Sequence, residues 1–127
     1  MYIAAATLTL LGSALIMWIG VSYIVRPTRI AAGFGLRELP AYDNPYFRIK
    51  GVRDVVSGML ALAMLTLVTF AIAAPIVLGV YMLVGALVPI GDMLVVLRYG
   101  GRTRVALGMH GLSAAVAAVT GVLWLTT

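Results

Sequence analysis

From Val55 to Leu97 the chain carries one acidic residue, Asp92, and no basic one. As a single α-helix this run would be about 65 Å long, at 1.5 Å per residue. A bilayer's hydrocarbon core is only about 30 Å thick. The run must therefore fold back on itself. The segment Ala71-Ile72-Ala73-Ala74-Pro75 is where it can do so, because proline is accepted at the first position of a new helix, where a backbone N–H has no partner anyway. One uncharged run thus becomes two membrane spans.

Composition leads to the same class. Of 127 residues 63% are hydrophobic and 10% charged, against about 25% charged in a typical soluble domain. So few charges cannot cover a water-facing surface. The expectation is a single all-α domain, an integral membrane four-helix bundle, with spans at about 4–25, 50–73, 76–97 and 105–125. Trp18 and Tyr23 lie towards the charged end of the first span, where amphipathic rings favour the interface. Arg26-Pro27 ends that span. The first apolar run has no basic residues before it and Arg26 after it, which reads as a retained span and not as a cleaved leader.

Residues 26–50 form the long loop and hold Arg26, Arg29, Arg37, Glu38, Asp43, Arg48 and Lys50. Within it, Ile30–Leu36 is too short to span and is expected on the membrane surface, with Phe34 and Leu36 dipping in; Tyr42, Tyr46 and Phe47 are expected to do the same. With four spans, this loop and the turn Arg98–Arg104 fall on one side, and all nine basic residues lie at or near it. The positive-inside rule makes that side cytoplasmic and puts both termini on the non-cytoplasmic side of the cell membrane, the inner membrane in a bacterium. The net charge of +5, confined to loops beside apolar spans, points to anionic inner-leaflet lipids as partners and not to nucleic acid. The absence of cysteine excludes disulfides, thiol redox chemistry, iron–sulfur clusters and covalently attached haem.

Ionisable side chains inside hydrocarbon are costly and must be paired, capped or wet. Three lie within spans here: Asp54, Asp92 and His110. Asp92 lies six residues before Arg98 and His110 six residues after Arg104, each about 9 Å inside the charged end. Asp54 is expected about one turn inside the second span, where the helix dipole and Lys50 four residues earlier would stabilise it. Ser22 and Tyr23 would add hydroxyls from the first span. Each residue has a bland reading beside the sharp one. Asp54 is either a capped structural carboxylate or a general base. Asp92, beside the helix-breaking Pro89, is either paired or a proton carrier. His110 is either an interhelical tie or Asp92's partner in an acid–base dyad. Arg53, Lys50 and Arg98 either snorkel to headgroups or form a basic rim that binds a ligand. The spacing of Asp54, Asp92 and His110 matches no metal-ligand motif, and no cofactor-binding motif occurs.

Small residues recur at helical spacing: Gly51, Gly58 and Ala61; Gly79 and Gly85; Gly108, Gly111, Ala114, Ala117 and Gly121. These read as seams where helix backbones approach closely.

The pattern Lys50-Gly51-x-Arg53-Asp54-x-x-x-Gly58, with Asp92 in the third span and His110 in the fourth, resembles a family of small four-span membrane proteins of bacteria and fungi, known only as a domain of unknown function. The resemblance covers nearly the whole chain. It implies a four-helix membrane bundle and supplies no reaction. A looser likeness to DoxX-type proteins rests on size and hydropathy. The small multidrug transporters are similar in size, but their first-span glutamate has no counterpart here.

Three functions fit these residues. The first is binding or acid–base conversion of a lipophilic small molecule, as in an isomerase or cyclase, with Asp92, His110 and Asp54 as the catalytic groups. The second is proton-coupled transport through Asp92. The third is an accessory or structural subunit in which the polar groups only lock the bundle. Four short helices enclose little volume, so a homodimer is compatible with each.

Overall fold

A computed structural model describes residues 1–39 and 44–127, and every regular element among them is a helix. The first span is α1 (Tyr2–Val25), followed after Arg26 by the short α2 (Pro27–Ala31). The second span is α3 (Pro45–Thr69). The third comes in two pieces, α4 (Pro75–Gly85) and α5 (Leu87–Arg98). The fourth starts as α6 (Thr103–Val105), widens into a π-helical turn at Ala106–Gly111 and continues as α7 (Leu112–Leu125). Four stretches, Tyr2–Val25, Pro45–Thr69, Pro75–Arg98 and Thr103–Leu125, are each long and apolar enough to cross a bilayer. The protein is an all-helical, multi-pass membrane protein.

The second span begins at Pro45, earlier than the expected residue 50. Asn44 supplies the reason. Its side-chain oxygen accepts the N–H of Tyr46 at 3.0 Å, and Pro45 fills the first helical position, a strong start signal. Arg48 is thereby inside the helix with Lys50 and Arg53, where their long aliphatic stems are tolerated. The span ends at Thr69, short of the expected residue 73. Ala71 adopts a positive φ of 55°, which breaks the helix, and the N–H groups of Ile72 and Ala73 both turn back to the Leu67 carbonyl. α4 then starts on Pro75, at the anticipated fold-back. The third span breaks at Ala86, three residues before Pro89, whose missing N–H leaves the Gly85 carbonyl without its usual helical donor.

Two tight helix pairs make the bundle: α1 along α3, and α4 along α7. Glycines set the first contact. A Cβ on Gly20 would sit 2.6 Å from the Gly51 carbonyl oxygen, and one on Gly51 would sit 2.6 Å from the Gly20 carbonyl oxygen. Only glycine at both positions allows that approach, and it brings Lys50 and Asp54 against the face of α1 that carries Tyr23. Gly79 and Gly121 face each other similarly in the second pair. Gly85 and Gly108, expected as seam residues, have nothing within 4 Å of a Cβ position and face outward.

The two ends of the bundle differ. At the end bearing both termini, Ala5, Val68, Leu78 and Trp124 form a buried apolar core. The Trp124 indole N–H donates to the Thr9 hydroxyl at 2.9 Å. The Tyr2 ring meets Trp124 edge-on at 5.3 Å, and its hydroxyl pairs with that of Thr69 at 3.0 Å. This end is closed. The other end collects the basic residues of the described chain and is capped by the segment after α1. There the Arg102 backbone N–H donates to the Gly35 carbonyl and its guanidinium to the Ala32 carbonyl, both at 2.7 Å. Ile30–Leu36 is therefore not a strip floating on the membrane surface. It is bonded to the α5–α6 turn, and Phe34 turns inward. Tyr42 lies outside the described residues.

Candidate functional site

At the charged end, side chains from all four spans and the capping segment meet around one ammonium group. Lys50 and Asp54 are four residues apart on α3, hence on one face. The Lys50 Nζ donates to Asp54 Oδ2 at 2.9 Å. The same Nζ lies 3.9 Å from Asp92 Oδ2, which α5 presents from across the bundle. His110 comes from the π-helical turn, and its Nδ1 lies 4.0 Å from Asp92 Oδ2. The rings of Tyr23 and Phe34 stand at 5.2 and 5.5 Å from the Lys50 ammonium, in cation–π range.

The location of Asp54 requires a correction. Because α3 starts at Pro45, Asp54 lies well beyond the first turn and gains nothing from the helix terminus, whose effect fades within one turn. Its buried carboxylate is held by Lys50 instead.

His110 is fixed by a group that the sequence did not suggest. Its Nε2 lies 2.9 Å from the Phe34 carbonyl oxygen, and the Phe34 ring packs on the imidazole at a centroid distance of 4.5 Å. A carbonyl can only accept, so Nε2–H is the donor. In the neutral imidazole Nδ1 is then the basic nitrogen, and Nδ1 is the atom that faces Asp92. The π-helical turn that carries His110 is of a kind often found at functional sites.

Asp92 is the loosest member. Its two neighbours, the Lys50 ammonium and the His110 imidazole, stand at 3.9 and 4.0 Å, beyond direct hydrogen-bond distance, and its side chain is 30% exposed. That exposure opens into a groove of about 430 Å³ between α3 and α5, lined by Lys50, Arg53, Asp54, Ser57, Val88 and Asp92 together with Val52 and Val56. Beside the groove, α4 is tied to α3 by Tyr81, whose hydroxyl donates to the Ser57 carbonyl at 2.7 Å. Lys50, Asp54 and Asp92 carry one net negative charge together. Arg53, the groove's other cation, brings these four side chains to zero formal charge.

The other expected site residues divide. Arg53 lines the groove from its exposed side. Tyr23 is buried and contributes its ring to the ammonium. Ser22 does not join the site: its hydroxyl bonds back to the Trp18 carbonyl at 2.8 Å. Arg98 ends α5, exposed and outside the groove. Phe34, expected to dip into the membrane surface, packs on His110 instead, and Tyr81 and Val88 were not singled out in the sequence. Phe34 and Tyr81 act through groups no motif marks, a backbone carbonyl and a lone hydroxyl; Val88 is one valine among many.

Fold and site together define a small four-span membrane protein with an ionic centre beneath one end and a lateral opening beside it. Residues 13–124 match the family model described as a domain of unknown function, DUF4267, and the chain belongs to that family. No curated protein and no solved structure matches it.

Proposed function

We propose that the protein binds a lipophilic small molecule in the groove between α3 and α5 and acts on it by proton transfer, with Asp92 and His110 as the exchanging pair. The observation that carries this reading is the position of Asp92: one side of its carboxylate faces Lys50 and His110, the other the groove. An acid held only to lock helices would be enclosed by its partners, as Asp54 is. Nδ1 of His110 can take or return a proton through Asp92, while Lys50 and Asp54 keep the local charge balanced. Such a pair suits an isomerisation or cyclisation, where a proton leaves one atom and returns to another and no net oxidation occurs. The closed end formed by Trp124, Thr9 and Tyr2 argues against a passage through the bundle. By the positive-inside rule the charged end faces the cytoplasm, so the ligand enters from the inner leaflet of the cell membrane.

The test is to extract the protein with its surrounding lipid in polymer nanodiscs and to identify what co-purifies. Wild type is expected to enrich one lipophilic species over the bulk membrane. Ser57→Trp, which fills the groove, should lose that species. Asp92→Asn should still carry a bound molecule but hold it in an unconverted form. Lipid content identical to bulk membrane in all three proteins counts against the reading.

A further inference from the structure

We propose that the molecule taken by the groove is an amphiphile with an anionic head, a carboxylate or phosphate ester on a hydrocarbon chain, and that Arg53 is the residue that recognises the head. This rests on the preceding reading that the groove admits a molecule from the bilayer.

The first observation is charge. Of the groove's two cations, Lys50 is committed to Asp54 at 2.9 Å and leans on Asp92 at 3.9 Å. Arg53 takes part in none of the ion pairs among the described residues. It is not at a helix end like Arg98. It stands eight residues into α3, about 12 Å from its start, with its side chain on the groove. Exposed there and without an ion-pair partner among the described residues, its guanidinium has a planar fork that suits carboxylate or phosphate. With the anion in place and one proton on the Asp92–His110 pair, every charge in the groove is matched.

The second observation is the groove's polarity along its length. α3 runs away from the charged end and α5 runs towards it. Lys50, Arg53, Asp54 and Asp92 therefore lie at the headgroup side with one valine, Val52, and Val56, Ser57 and Val88 lie deeper. Ser57 presents little polarity there, because its hydroxyl is engaged by the Arg53 carbonyl at 2.8 Å. A groove charged at the interface and apolar towards the midplane fits a molecule with its head at Arg53 and its chain directed inward. It does not fit a free anion, which has nothing to place against the valines.

The experiment uses the full chain in phosphatidylcholine nanodiscs with a diazirine-bearing fatty acid as photolabel. Labelling is mapped by peptide and competed with oleate, oleyl phosphate, oleyl alcohol or inorganic phosphate. The expected result is labelling at Val52–Ser57 or Val88, with oleate and oleyl phosphate competing about tenfold better than oleyl alcohol, the scale of one charge-assisted hydrogen bond. That preference should vanish in Arg53→Gln, persist in Arg98→Gln and survive partly in Arg53→Lys. Equal competition by the alcohol, a preference that persists in Arg53→Gln, or competition by inorganic phosphate alone overturns the assignment of an anionic amphiphile while the groove still labels. Absence of labelling in the groove, or labelling indifferent to Ser57→Trp, instead overturns the underlying reading that the groove is a site.

Discussion

Replacing Lys50 by methionine keeps the length of the side chain and removes the one charge that two carboxylates share. The structure gives the size of the effect. At an effective dielectric constant near 20, an ammonium 2.9 Å from Asp54 is attracted by about 6 kcal/mol, and the same ammonium 3.9 Å from Asp92 by about 4 kcal/mol. Most of this is offset by the cost of taking the charges out of water, so the net worth of the group is small. The cost of removing one member is not small, because Asp54 stays buried without its counter-ion. Loss of one partner of a buried pair costs about 3–5 kcal/mol. Lys50 retains 21% side-chain exposure, which places the expected loss near the lower end, about 3 kcal/mol. SDS-induced unfolding in mixed micelles, followed by circular dichroism, measures it. The double variant Lys50→Met/Asp54→Leu removes both ends of the 2.9 Å bond and should regain at least half of the loss. If Lys50→Met unfolds within about 1 kcal/mol of wild type, the range of an exposed ion pair, the ammonium does not hold the centre together and the reasoning fails.

Gly51→Leu drives a side chain into the Gly20 carbonyl and should destabilise by about 1–3 kcal/mol in the same assay, whereas Gly85→Ala, with open space around it, should be neutral or slightly stabilising. Tyr81→Phe removes the bond to the Ser57 carbonyl and should cost about 0.6 kcal/mol in the same assay, typical of interhelical bonds in lipid. Because the chain has no cysteine, single cysteines introduced at Thr127 and at Gly100 should react with an impermeant maleimide only from opposite faces of the membrane, with Thr127 accessible from outside the cell.

Hydropathy and chain length were enough to reveal the number of spans, because hydrocarbon thickness limits how long an apolar run can stay straight. The fold-back at Pro75 followed from that limit. The start of α3 did not. Arg48 and Lys50 suggest a loop in water, yet a helix near headgroups tolerates such charges, and Asn44-Pro45 starts α3 ahead of them. The error had a chemical consequence, since it credited Asp54 with a helix terminus that lies far from it. The grouping of Asp54, Asp92 and His110 at one depth was readable from their distances to Arg98, Arg104 and the charged loop. What orients His110 was not, because the Phe34 carbonyl is a backbone group on a segment that sequence patterning assigned to the membrane surface. The π-helical turn was equally hidden: its sequence, Ala106–Gly111, follows the same small-residue pattern as an ordinary helix. The groove depends on how α3 and α5 lie against each other, a tertiary arrangement that no local motif encodes.

The central claim is that the few ionisable side chains of the spans converge inside the charged end, with His110 oriented by Phe34 and turned to Asp92. Since His110 is the chain's single histidine, solid-state NMR of the protein in lipid bilayers, with labelled imidazole nitrogens and aspartate carboxyl carbons, reads that claim without ambiguity. The account predicts a proton on Nε2 engaged in a hydrogen bond and a through-space correlation between Nδ1 and an aspartate carboxyl carbon at roughly 4–5 Å, lost in Asp92→Asn. A proton on Nδ1 alone, with correlations from the ring to lipid acyl chains and none to a carboxyl group, would contradict it.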